Sequence, residues 1–208
     1  MSGESPGPER DGETGATPDA APDVPEWDDG YVDRLSDRLL FNYDLEKDVS
    51  ERGERFALYG RLQMESEKHF FTPLLSYAHH ETHEHLYLRR RRTLSPTDLD
   101  TLVELGHDLA DERVEADEEH YGTEFTFVTV VPSIADDVRE YVADFRDRTL
   151  LKYGYFGHYE VNLAVVAPDE RDVVTSEAAD IEEALTTWEP IEREEPGLLR
   201  LIARRLQI

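Results

Sequence analysis

Residues 158–167, HYEVNLAVVA, carry one carboxylate in a chain where 34% of all residues are charged. A run this apolar and this rich in valine reads as a strand shielded on both faces, which only a central place in a sheet provides. Residues 124–132, EFTFVTVVP, have the same character. Between them, Ile134, Val138, Tyr141, Val142 and Phe145 recur at helical spacing over 134–148, and Ser133 followed by Asp136 resembles a helix start. Strand, helix and strand of these lengths form a right-handed crossover, so the two strands are expected to be parallel and near neighbours.

Upstream, a first helix is expected over 30–46, with Tyr31, Leu35, Leu39 and Tyr43 on one stripe. Strict alternation follows: Phe56, Leu58, Gly60, Leu62 and Met64 point one way, and Ala57, Tyr59, Arg61 and Gln63 the other. Two more extended pieces, about 68–78 and 84–92, flank His80-Glu81-Thr82-His83, which reads as a hairpin loop. Ser95, Pro96 and Asp98 open the clearest helix, its apolar face formed by Leu99, Leu102, Val103, Leu109, Ala110 and Val114 through about residue 117. A further acidic helix is expected over 176–188, and a short amphipathic one at the end, with Leu198, Leu199, Ile202 and Leu206 on one side. The order predicts an α/β (α+β mixed) domain with a mixed sheet, antiparallel strands first, a βαβ crossover after them, and helices packed on the sheet. Residues 1–29 are expected to be a disordered acidic leader, 30–175 the domain, and 176–208 a helical extension able to dock a partner through 197–208.

Forty-eight acidic residues against twenty-two basic ones give a net charge of −26 on 208 residues, and Lys47, Lys68 and Lys152 are the only lysines. Self-repulsion of that size opposes compaction in dilute buffer, whereas at molar salt the Debye length shrinks to about 3 Å. The acid is spread over every segment, so it reads as adaptation to concentrated salt rather than a tail for a basic partner. Composition together with the stretches YVDRLSDRLLFNYDLEKD and KYGYFGHYEVNLAVVAP resembles an uncharacterised protein family of salt-in halophilic archaea. The resemblance covers most of the chain after the first thirty residues and brings no activity with it. The absence of cysteine excludes disulfides, thiolate metal sites and thiol nucleophiles. No signal peptide and no membrane span is seen, which makes the cytoplasm the expected compartment.

Three constellations could carry chemistry. Five histidines fall within seventeen residues, and His79, His83 and His85 are the candidate ligands for zinc, manganese or iron, although the spacing is not that of HExxH. Arg89 to Arg92 form a basic run, and Arg61, Arg89 and Arg91 could make an anion site for phosphate or nucleic acid. Pairing of those arginines with carboxylates of the following helix is the preferred explanation, since the overall field repels polyanions. Lys152 to Tyr159, where glycines alternate with aromatics, could form a ligand-approach loop, though tight turning explains the glycines as well. The strand ends at 131–133 and 167–169 lie where open α/β sheets commonly bind ligands. The element order also resembles the core of restriction-endonuclease-like nucleases, but Glu65-Ser66-Glu67-Lys68 departs from their spacing. The residues therefore favour a non-enzymatic binding or interaction domain, with a metal-dependent hydrolase as the alternative. No cofactor is indicated.

Overall fold

The computed structural model describes residues 25–67, 79–117 and 120–190. Its elements run α1 (Gly30–Leu39), β1 (Asp44–Glu51), β2 (Glu54–Glu67), β3 (His79–Arg90), α2 (Pro96–Arg113), β4 (His120–Val130), α3 (Asp136–Asp144), β5 (Arg148–Leu150), β6 (His158–Ala167), β7 (Asp172–Thr175) and α4 (Glu182–Leu185), with a 3₁₀ turn at Leu151–Gly154. The seven strands make one mixed sheet in the order β1-β2-β3-β4-β6-β5, with β7 also paired to β6. β1, β2 and β3 are antiparallel, while β3, β4 and β6 are parallel.

The charge-poor segment is β6, and its position explains its composition. One edge pairs with β4 along most of its length, and the other is covered by β5 at its start and β7 at its end. Helices lie on both faces. Tyr87, Phe125, Phe127, Val161 and Leu163 pack under Leu99, Leu102 and Leu109 of α2 and Val138 and Val142 of α3. On the opposite face Leu86, Leu88, Val128, Ala164 and Val166 pack under Leu35 and Leu39 of α1 and Leu185 of α4. The parallel crossover occurs twice, through α2 and through α3.

α2 starts as expected: Ser95 accepts from the Asp98 amide while Asp98 reaches back to the Ser95 amide, a complete capping box. Gly106 of α2 faces β6 so closely that a Cβ there would lie 2.8 Å from Val161 Cγ2. Several expectations are corrected. The first helix ends at Leu39, and residues 44–51 form a strand instead, joined to β2 by Arg52 and Gly53, both at positive φ, the geometry of a type I′ hairpin turn. His80-Glu81-Thr82-His83 is not a loop, because these residues pair with Ser66 to Gln63 inside the β2–β3 ladder. The alternation in β2 slips at its start, since Phe56 joins Tyr59 and Tyr87 in one core while Ala57 and Leu58 join the other. α3 begins after Ala135 without a side-chain cap, so Ser133 does not cap it. Ser176 is buried, accepting from Leu163 N and donating to Asn162, and the helix beyond it is confined to 182–185. The extended piece at 68–78, residues 1–24 and the 197–208 segment lie outside the described residues.

Trp27, assigned by sequence to the leader, is buried beside α1, and its indole donates to the Ala57 carbonyl at 2.7 Å.

Candidate functional site

Strict alternation along β3 gives the two sides of the sheet different chemistry. His83, His85, Tyr87, Arg89 and Arg91 face the α2 side, whereas Glu84, Leu86, Leu88 and Arg90 face the α1 side. The arginine run is thereby divided. Arg89, nearly fully buried, donates to Glu54 Oε2 at 2.6 Å, and Arg91 reaches the same oxygen at 2.8 Å. Arg90 points the other way and grips Asp29, the N-cap of α1, through two hydrogen bonds. Arg89, Arg90 and Arg91 are paired internally, though with Glu54 and Asp29 rather than with the side chains of α2. Arg61 is not brought together with Arg89 and Arg91: it sits across from His85, four residues and thus about 13 Å down the strand.

Arg61 instead lines a cleft of about 300 Å³ with Gln63, His83, His85, Arg113, Val114, Glu115, Asp117, His120 and Thr123. β2, β3 and β4 supply its floor, and the chain leaving α2 supplies its wall. It lies at the amino-terminal end of the parallel strands, opposite the end that sequence reasoning favoured. Two of the three candidate metal ligands, His83 and His85, are in it. The side chain of His79 is not among those described, and among the described residues no group of three or more His, Asp or Glu is close enough to hold a metal ion.

The geometry around His85 is tightly determined. Its ring stacks on Phe125 at 5.0 Å between centroids and lies parallel to Tyr59 at 6.0 Å, while Nδ1 is 2.8 Å from the Tyr59 hydroxyl. Burial, reinforced by the charges of Arg113, His83 and Arg61, lowers the His85 pKa to about 4, so the ring is neutral at pH 7. With Tyr59 donating its proton, which burial holds above the usual phenol range, the ring proton is assigned to Nε2 and serves the cleft as a donor. His120 is likewise oriented by two contacts, Nδ1 with the Phe156 carbonyl at 2.8 Å and Nε2 with Thr123 Oγ1 at 2.9 Å. Arg113 donates to both Tyr87 Oη and Glu51 at 2.6 Å, which holds its guanidinium at the cleft wall.

The other side of the sheet carries the reverse charge. Glu84, Glu124 and Glu160 are direct register partners on β3, β4 and β6 and form a row of three carboxylates across the sheet. Tyr43 donates to Glu84, Asn162 approaches Glu124 at 3.5 Å, and Arg148 meets Glu160 at 3.1 Å. Among the described residues, none makes an ion pair with Glu124. Burial and the like charges of Glu84, Glu160 and Asp180 raise its pKa to about 7.

Residues 28–187 match a family model described as a domain of unknown function, DUF8052. The chain belongs to this family. Comparison with curated proteins finds no match, and neither does comparison with solved structures. The DUF8052 segment includes every residue of the cleft and of the carboxylate row, and it extends amino-terminally to the residue after Trp27.

Within the DUF8052 domain, Gln63, Arg113, Glu115, Asp117, His120 and Thr123 were not singled out by sequence. Arg113 was hidden among the carboxylates of α2, and the one signal for it was a basic residue in a helix end otherwise solid with acid. The Glu84–Glu124–Glu160 row has no sequence signal at all, because it exists only in the register of three strands. The Lys152–Tyr159 segment makes a tight turn, with Lys152, Tyr153, Gly154 and Gly157 all at positive φ. A Cβ at Gly157 would collide with the Tyr121 carbonyl at 2.0 Å, so glycine there is a requirement of backbone approach.

Proposed function

We propose that this is a non-enzymatic binding domain whose cleft takes a small anionic ligand. The reading rests on one observation: in a chain of net charge −26, Arg61, Arg113, His83, His85 and His120 line the same cavity. Two guanidiniums in one concavity inside a strongly negative field are a local exception, and guanidinium and imidazole N–H groups are suited donors for carboxylate or phosphate oxygens. The cavity is at the lower end of the sizes that hold small molecules. Arg61 is the most available donor, since its partner Asp44 is 3.9 Å away and both side chains are more than half exposed.

The test is thermal melting with inorganic phosphate titrated against potassium chloride at one ionic strength. Phosphate should raise the Tm by mass action on the native state, and Arg61→Ala should remove that response. No response in the native chain to inorganic phosphate or to any small phosphate- or carboxylate-bearing probe sinks the reading, and stoichiometric zinc or manganese in purified protein would move the assignment to the metal-dependent hydrolase.

Adaptation to concentrated salt is part of the same proposal. Charge of −26 with three lysines supports it, as does the distribution of acid over exposed helix faces such as Asp100, Asp108, Asp111 and Glu112 of α2. A cytoplasmic location and a disordered leader are the corresponding expectations. Among the described residues, no helix is long and apolar enough to cross a membrane.

A further inference from the structure

The cleft is not uniformly basic, and its asymmetry narrows the ligand. Arg61, His83 and His85 lie on β2 and β3, whereas Glu115 and Asp117 lie on the chain leaving α2, across the same cavity. Asp117 has a structural duty, accepting from the His120 amide at 2.9 Å. Glu115 has none: it is exposed, and it makes no hydrogen bond or ion pair among the described residues. A simple dianion filling the cavity would lie against two carboxylates as well as the arginines, and like charges at such range cost binding energy. A cavity of about 300 Å³ also exceeds what an inorganic anion fills.

We propose that the cleft's ligand is a small zwitterion, its phosphate or carboxylate held by Arg61, His83 and the Nε2–H of His85, its ammonium group by Glu115 and Asp117. This rests on the anion-site reading above and adds the second pole to it. The Tyr59–His85 contact makes the anionic pole selective, because a ring kept neutral and stacked on Phe125 donates from a fixed position without bringing a charge of its own. The ammonium pole supplies what the anion alone lacks, a partner for Glu115.

Two matched pairs of probes test this: phosphoethanolamine against ethyl phosphate, and β-alanine against propionate. Each pair differs by one ammonium group, and each probe is measured by titration calorimetry at one fixed ionic strength. In at least one pair the ammonium-bearing member should bind tenfold tighter or more. Glu115→Gln should bring that pair to within about twofold while leaving the ammonium-free member unweakened, and this exposed substitution should not alter the melt of the unliganded protein. Equal affinities within both pairs, or a preference untouched by Glu115→Gln, would overturn the zwitterion proposal and leave the anion site standing. If no probe binds, and inorganic phosphate also gives no response, both readings fall together.

Discussion

Arg89 and Glu54 form a half-sunken ion pair, 2.6 Å from nitrogen to oxygen, with the arginine side chain 4% exposed and the glutamate 30% exposed. Desolvation of a guanidinium is tolerable only while its partner is present. Glu54→Ala should therefore cost about 2 to 3 kcal/mol, below the range for fully buried pairs because water reaches this glutamate. Arg91→Ala, which removes the more exposed of the two donors, should cost about 0 to 1 kcal/mol. Urea titration of both variants in molar salt measures the contrast, and equal losses would show that Glu54 does not act through Arg89.

Trp27 should behave as part of the domain. Its indole fills space beside α1 and donates to Ala57, so Trp27→Ala should destabilise by about 3 kcal/mol or more. Deletion of residues 1–24 should leave the melt within a degree or two of the full chain. Limited proteolysis followed by mass measurement should give a stable product that retains Trp27.

Glu124 predicts the slope of stability against pH. Its carboxyl titrates at about 7 in the folded chain against 4.5 ordinarily, so between those values the folded state holds more of this proton than the unfolded state does. Stability from this group is present below pH 4.5 and is lost as pH rises through 7. Glu124→Gln should raise the Tm at pH 8 relative to the native chain and flatten the slope between pH 5 and 8. An unchanged slope would mean that burial and the charges of Glu84 and Glu160 do not raise its pKa.

Salt should act on the whole molecule. With a net charge of −26, screening relieves repulsion in the folded state more than in the expanded one, so the Tm should climb steadily as potassium chloride is raised from about 0.1 to 2 M. Dilution to low salt should loosen the domain, detected as loss of near-ultraviolet dichroism.

Gly106→Ala tests how tightly α2 is seated. The added methyl would meet Val161 Cγ2 at 2.8 Å and Phe127 Cε2 at 3.1 Å, forcing the helix off the sheet at a cost of about 1 to 3 kcal/mol. The pairing of Gly106→Ala with Val161→Ala should recover part of that loss.

The core strands were legible because periodicity and composition agreed: 158–167 was read to the residue, and the Ser95 box set the start of α2. β1 was not legible, since Asp44 to Glu51 is an edge strand with one partner, and charged side chains suit an edge while erasing the alternation that marks a strand. β5 and β7 were missed for a different reason: three and four residues are too few to show a period. The site fared worse. Arg61 was singled out as an anion ligand and His85 as a metal ligand; alternation allowed them a common face, and the β2–β3 register makes them direct partners.

His83, Glu84 and His85 give one strand two chemically different sides, imidazole toward the cleft and carboxylate toward the glutamate row. A shift of β3 by one residue against its neighbours would exchange them, carrying Glu84 into the cleft and an imidazole into the row. A single-codon insertion or deletion in this stretch would thus invert the polarity of both surfaces at once, while Tyr87 and Leu88 also traded cores. Such a protein would fail through misplaced charge as much as through lost packing, and screening by salt could not rescue it, since the error would lie in which side each group faces.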